Sequence, residues 1–514
     1  MMHLVTILIL ALAGQAFDIN HDACTNYLVT RGASADGSNI ITYAADSHVL
    51  YGALYHYPAA DHAPGEMRKI IDWDSGEYIG QIPEVAHTYN VIGNQNEWAP
   101  SQPGAIVDYG SLIYIALQRS KTAREAIKVM TDLVAQYGYA SEGESFSIGD
   151  PNELWVMEMI GKGAGEKGAV WVARRIPDGM ICAHANQARI TTFPLNDPDN
   201  CYYSADVVDF AKRKGLYPAS APADQFSFSD AYNPITFDGA RFCDVRVWSF
   251  FRKFVNGMDA YLEYAKGYNL TTRMPLWVRP VAKIMVFDVM NAMRDHLEGT
   301  WFDFRGDAGA EAFGLPYRWR PLTWDLDGKT YFNERTVATQ QTGWSFVSQM
   351  RSWLPAPLAG LFWFGVDDTA GTVYAPFYGS ATRVPWNYDT RNGDMMTFSF
   401  DSAFWVFNLV TNFAYQRYSI IQPEIAMKIQ DYEMRYLNET VNVDVQAMKL
   451  YQSSPASAVE YLTAYSEKTG SALVQDWLTF FKYLFVKYMD GNVKVADPKH
   501  PNPQAGAKYR YPTK

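Results

Sequence analysis

The sequence predicts an α+β protein, and three observations lead there. Short runs with period-two alternation open the chain after residue 24 and recur between 143 and 188. Turn signals join them, at Asp36-Gly37 and at Pro177-Asp178-Gly179. The last quarter instead carries long stretches with apolar residues at helical spacing. With 48% hydrophobic and 19% charged residues over 514 positions, the chain can bury a large core and is not a disordered one.

Residues 1–16, MMHLVTILILALAGQA, read as a signal peptide. The apolar run 4–13 has the length of a signal h-region and is too short to span a membrane. It ends in the small-x-small box Gly14-Gln15-Ala16. Cleavage there leaves residues 17–23 as a short propeptide ahead of Cys24. The expectation is an exported protein without a transmembrane anchor, destined for the periplasm, the medium or a lysosome-like compartment. Asp18, His21 and Asp22 separate the apolar run from Cys24, which argues against a lipid-bearing cysteine.

Cys24 precedes the first strand, expected over 25–30. A thiolate is a strong nucleophile, and an α-amine freed by processing titrates near neutral pH, so an N-terminal cysteine carries its own general base. A buried small hydrophobe or a disulfide partner is the other reading, and the residues alone leave both open. The segment Arg31-Gly32-Ala33-Ser34-Ala35-Asp36-Gly37-Ser38 forms a turn, and 39–44 returns as a second strand. This brings Asp46 toward Cys24. The triplet Asp46-Ser47-His48 is no serine triad, because adjacent strand residues point to opposite faces.

Thr122 and Glu125 cap an amphipathic helix whose apolar face holds Ala126, Ile127, Met130, Leu133 and Val134. A three-stranded meander is expected over 154–185, ending at Asn186-Gln187. Asn186 is a candidate oxyanion donor through its side-chain NH2, or a turn residue. Further helices are expected over 203–215, 243–254, 283–297, 398–417 and 420–439, and two more over 458–466 and 471–488. Residues 335–351, 360–365 and 374–378 read as strands of a second half of the sheet system.

Several function classes are excluded or disfavoured. The net charge is −11 and no Lys/Arg cluster stands out, which argues against a nucleic-acid partner. Cys24, Cys182, Cys201 and Cys243 show no Cys-x-x-Cys spacing, and no His-Glu-x-x-His occurs, so no metal is expected. The glycine-rich run 161–168 lacks the Gly-Lys-Ser/Thr ending of a phosphate loop, and no cofactor is expected.

Together, Cys24-Thr25, the Ala33-Ser34-Ala35-Asp36-Gly37-Ser38 turn and Asp46-Ser47 resemble the dipeptidases of peptidase family C69, in the N-terminal nucleophile hydrolase superfamily. The resemblance continues through Asp150-Pro151-Asn152-Glu153-Leu154-Trp155, Asn186-Gln187, Gln341-Thr342, Gln349-Met350-Arg351 and Trp363-Phe364-Gly365 to Tyr488-Met489-Asp490-Gly491. It implies a four-layer αββα sandwich over 24–455, with a C-terminal helical tail, 456–514, packed on the body. It also implies a cysteine-type dipeptidase acting on dipeptides or short peptides. In that scheme Cys24 becomes N-terminal by autocatalytic removal of the residues before it and attacks the scissile carbonyl. Asp46 holds its amine, and Asn186 supplies an oxyanion donor.

One position departs from the pattern. Related members carry an arginine three residues before the acidic position, and Tyr43 stands there instead. Arg31, Arg335 and Arg351 are the candidate substitutes. Two other readings stay open on this sequence: an amidohydrolase for an N-acyl amino acid or a conjugated bile acid, and an inactive secreted binding protein on the same fold. A homo-oligomer is also left open.

Overall fold

The computed structural model describes residues 22–72, 76–93, 102, 104–504 and 506–510. The leader and nearly all of the spacer before Cys24 lie outside the described residues. The chain is of mixed α+β class. In order, the elements that position the site are β1 (Asp22–Val29), β2 (Asn39–Ser47), α1 (Tyr109–Arg119) and α2 (Ala123–Tyr137). They continue with β3 (Gly143–Gly149), β4 (Leu154–Gly161), β5 (Ala169–Arg175), β6 (Ile181–His184) and β7 (Cys201–Tyr203). Next come α3 (Val245–Phe254), β8 (Trp277–Val278), β9 (Thr342–Met350), β10 (Gly360–Val366) and β11 (Ala375–Tyr378). Three helices follow, α4 (Ala403–Tyr415), α5 (Tyr418–Ser453) and α6 (Pro455–Tyr488).

The strands form two main antiparallel sheets. One has seven strands in the order β8-β6-β1-β2-β9-β10-β11, and the other has four in the order β7-β5-β4-β3. Side chains alternate between faces along each strand. Leu28 and Ile41 of the larger sheet share a core with Leu154, Val156, Val170 and Val172 of the smaller one. Tyr27, Val29, Ile40 and Ala44 pack into a second core with α3, α4, α5 and α6. Trp155, Met157 and Met159 turn the other way, toward α1 and α2.

The turn between β1 and β2 is a built loop rather than a two-residue hairpin. Asp36 Oδ1 accepts from the Ser38 amide at 3.0 Å and from the Ser38 hydroxyl at 2.7 Å, and Gly37 takes φ 83°. Here glycine is required by the left-handed backbone. Thr122 caps α2 as expected, accepting from the Glu125 amide at 3.2 Å.

Three expectations change. The meander is split: β4 and β5 pair with each other, but β6 leaves them and pairs with β1, Asn26 opposite His184. Residues 335–341 are not a strand, and pairing in β9 begins at Thr342. The two C-terminal helices expected at 458–466 and 471–488 are one helix, α6. Gly470, between the two expected stretches, lies inside α6 and allows close approach, since a Cβ there would lie 2.7 Å from Pro385 Cγ and 3.1 Å from Phe377.

Candidate active site

Antiparallel pairing of β1 with β2 builds the site. Cys24 lies opposite Ala45, and Ala23 opposite Asp46. The period of two then places Cys24 on the face of β1 that also carries Leu28, toward the smaller sheet. Cys24 is buried, 6% exposed, and none of the four cysteines forms a disulfide. Its Sγ lies 2.6 Å from the Tyr43 hydroxyl, and its backbone N–H donates to Asn186 Oδ1 at 2.8 Å.

Asn186 reaches Cys24 from the turn after β6. Its φ of 59° is left-handed, a conformation asparagine tolerates better than most residues. The turn is pinned on both sides. Gln187 Nε2 donates to the Asn233 carbonyl at 2.8 Å, and the Ala188 amide donates to Asn233 Oδ1 at 3.0 Å. Behind it, Glu158 accepts from the Arg189 amide at 2.6 Å and from the Ile190 amide at 3.0 Å.

A buried arginine that the sequence reading missed ties these parts together. Arg246, on α3, donates through Nη1 to the Cys24 carbonyl at 2.6 Å and to Thr25 Oγ1 at 2.8 Å. Its Nη2 donates to Asn186 Oδ1 at 3.0 Å, and its Nε to the Phe242 carbonyl at 3.1 Å. Both bonds to Asn186 use Oδ1, so the NH2 of that amide carries its donor capacity. Burial, and next the neighbouring Arg335, push Arg246 down to about 10, so it remains a cation at neutral pH.

Asp46 is fully buried, and its carboxylate is not bonded to the Cys24 nitrogen. It pairs with Arg335 Nη2 and accepts from Thr342 Oγ1 at 2.6 Å, while Gln341 Nε2 donates to its backbone carbonyl at 3.2 Å. A bulge delivers Thr342: the register steps from Thr342 opposite Asp46 to Trp344 opposite Ala45, leaving Gly343 extra. A Cβ on Gly343 would lie 2.7 Å from Leu50 Cβ and 2.8 Å from its carbonyl oxygen. The glycine lets the chain after β2 press against the bulge.

The structure therefore brings Cys24, Asp46 and Asn186 into one cluster with Tyr43, Arg246, Arg335 and Thr342. Of the three arginines considered as substitutes, Arg335 stands at the site. Arg351 instead pairs with Asp444 of α5, and Arg31 sits at the surface 4.0 Å from Asp178.

The model of peptidase family C69 matches residues 78–431, more than half of the sequence. The chain belongs to peptidase family C69. It is an enzyme acting on peptide bonds. A probable dipeptidase of Latilactobacillus sakei is 23% identical over 495 residues, covering 89% of this chain and 95% of the relative. A probable dipeptidase of Salmonella dublin is 26% identical, covering 72% of this chain and 87% of its own. Dipeptidase A of Lactobacillus helveticus is 23% identical, with 77% and 83% covered. The residues matched to the C69 family include Asn186, Arg246, Arg335 and Thr342, while Cys24, Tyr43 and Asp46 precede them.

Arg246 left a signal in the sequence. It stands in Val245-Arg246-Val247-Trp248-Ser249-Phe250-Phe251, a segment apolar on nearly every side. Arginine is seldom fully buried unless paired, so a cation there requires partners inside the protein.

Proposed function

We propose that this C69 enzyme is a cysteine-type dipeptidase whose nucleophile is Cys24, made N-terminal by removal of the residues before it. The observation that carries the reading is the environment of Cys24, with its sulfur on the Tyr43 hydroxyl and its nitrogen on Asn186 Oδ1. Both atoms that an N-terminal nucleophile uses are already held. Dipeptides are the substrate class named for the Latilactobacillus, Salmonella and Lactobacillus relatives.

In the chain with residues 22 and 23 attached, the Cys24 nitrogen is an amide and has no basic lone pair. Processing turns it into an amine with an ordinary pKa of about 7.7–8.0. That amine takes the thiol proton as sulfur bonds to the scissile carbonyl carbon, whose π electrons move to oxygen. The Asn186 NH2 donates to the oxyanion. Collapse breaks the C–N bond, and the proton passes to the leaving amine. Water then hydrolyses the thioester by the same route.

Arg246 holds the Cys24 carbonyl and the Asn186 oxygen in one grip, fixing nucleophile and oxyanion donor relative to each other. Arg335 and Thr342 hold Asp46 one residue pair along from Cys24–Ala45. The paired sheets, with helices packed on their outer faces, support the αββα arrangement of N-terminal nucleophile hydrolases. Residues 1–16 as an export signal and 17–23 as a propeptide complete the proposal.

Cys24→Ser tests it. The expected result is a fall in kcat/KM for dipeptides of about a hundredfold or more, with the fold retained by circular dichroism. Wild-type turnover by that variant would assign the chemistry to another residue.

A further inference from the structure

A hydroxyl meets the Cys24 sulfur, and two guanidinium groups stand nearby. Arg246 spends its N–H groups on the Cys24, Ala185 and Phe242 carbonyls, Thr25 Oγ1 and Asn186 Oδ1. Arg335 is committed to Asp46. The Tyr43 hydroxyl is the group 2.6 Å from Sγ.

That contact is held by the sheet. Tyr43 lies two residues along β2 from Ala45, the partner of Cys24, so by the period of two the Tyr43 and Cys24 side chains share a face. The phenol ring is fixed from the other side. It stacks on Trp344 with ring centres 5.1 Å apart and planes 23° apart, and on Phe346 at 6.1 Å and 19°. Trp344 is buried, and Phe346 packs in turn on Phe362 at 4.6 Å. Trp344, the nearer of the two rings, is the main wall against which the phenol lies, at one end of an aromatic row that crosses β2, β9 and β10.

We propose that Tyr43 is a catalytic residue of this enzyme, donating its hydroxyl proton in a hydrogen bond to the Cys24 sulfur throughout the nucleophilic step. The inference rests on Cys24 being the nucleophile. In the resting thiol either atom can donate. Once the thiol proton has passed to the amine, sulfur is an acceptor only, and the phenol, whose ordinary pKa is about 10, keeps its proton and donates. Tyr43 thus makes no net proton transfer. It stabilises the anionic sulfur and fixes its direction, without a permanent charge on that atom. A hydrogen bond to a charged group contributes more than one between neutral groups, so its loss is measurable.

Around Cys24 the packed elements place Tyr43 of β2 at the sulfur, Arg246 of α3 at the carbonyl oxygen and Asn186, from the turn after β6, at the nitrogen. The Asp46–Arg335 pair lies one residue pair farther along. A change confined to Tyr43 leaves the charges of Arg246, Arg335 and Asp46 in place, so it isolates the hydroxyl.

The test compares wild type with Tyr43→Phe, which keeps the ring and removes the oxygen. The rate of Cys24 alkylation by iodoacetamide is measured against pH, beside steady-state dipeptide hydrolysis. The expected result in Tyr43→Phe is a midpoint of the alkylation profile about one pH unit higher. Its kcat at pH 7 should fall about tenfold, with KM within about twofold. Phe346→Leu disturbs the stack but keeps the hydroxyl, and its midpoint should stay within about 0.3 units of wild type. Superimposable profiles for wild type and Tyr43→Phe would overturn the inference. So would an equal displacement in Phe346→Leu, which would assign the effect to packing. Full turnover by wild type alkylated at Cys24 would instead overturn the nucleophile reading on which the inference stands.

Discussion

Glu158 lies on β4, on the face opposite Met157 and Met159, and its carboxyl receives the amides of Arg189 and Ile190. It thereby fastens the segment that follows Asn186. Burial pushes this carboxyl up to about 7 from 4.5, against the lowering effect of the two amides and of Arg189. The native state therefore holds a proton between pH 4.5 and 7 that the unfolded chain has released. Stability from this group is greatest below that window and falls as pH rises through it, by roughly 3 kcal/mol in all. Urea unfolding of wild type and Glu158→Gln at pH 5 and pH 8 reads this. The advantage of wild type over the variant should shrink by that order between the two values; a constant difference would contradict the assignment. At this scale the sequence reading reached Cys24, Asp46 and Asn186, because each stands beside a turn or strand end with its own local signal. It also flagged Tyr43, but as an absence of charge; that its hydroxyl meets the sulfur depends on the β1–β2 register and the aromatic row. Arg246 was missed because its partners at the site, Cys24, Thr25 and Asn186, lie 60 and more positions away in sequence, which no local pattern reports.

The elements were legible where one surface dictates the periodicity. The capped helix α2 and strands β1, β2, β4 and β5 follow the apolar pattern closely. Strand membership was not legible. The run 180–185 looks like a third strand of the meander, yet β6 pairs with β1 and β8 in the other sheet. Alternation tells which face a residue takes but not which neighbour completes the hydrogen bonds. This transfer has a functional consequence, since β6 carries Asn186 toward the start of β1, where Cys24 is the third residue of the strand. The bulge at Gly343 is similar: the glycine was visible, while its work of aiming Thr342 at Asp46 depends on Leu50.

At the scale of the whole molecule, the C-terminal helices are part of the core. Leu462, Leu473, Val474 and Trp477 of α6 are fully buried and share a cluster with Tyr27, Val29 and Ala44 of the sheet that carries the site. A chain ending at Ser454 would expose all of these. Each large apolar side chain contributes about 1.5–3 kcal/mol on burial, so their combined loss is of the same order as the whole net stability of a typical protein. Such a truncation should show no cooperative thermal transition and no native near-ultraviolet dichroism. A native-like melt would contradict this reading of α6 and make 456–514 a dispensable tail. The broad α+β class and the peptidase family were legible from ordered motifs spread over the chain. The way three cores join the layers was not, because it rests on contacts between distant segments.

In the proposed mechanism Cys24 begins the mature enzyme and supplies both nucleophile and base. Intact mass, with N-terminal sequencing, of the protein purified in its dipeptide-hydrolysing form tests it most directly. The expected result is a chain that starts at Cys24, with residues 1–23 gone. An active enzyme that still carries residues 17–23 ahead of Cys24 would contradict it, because a peptide nitrogen there cannot take the thiol proton.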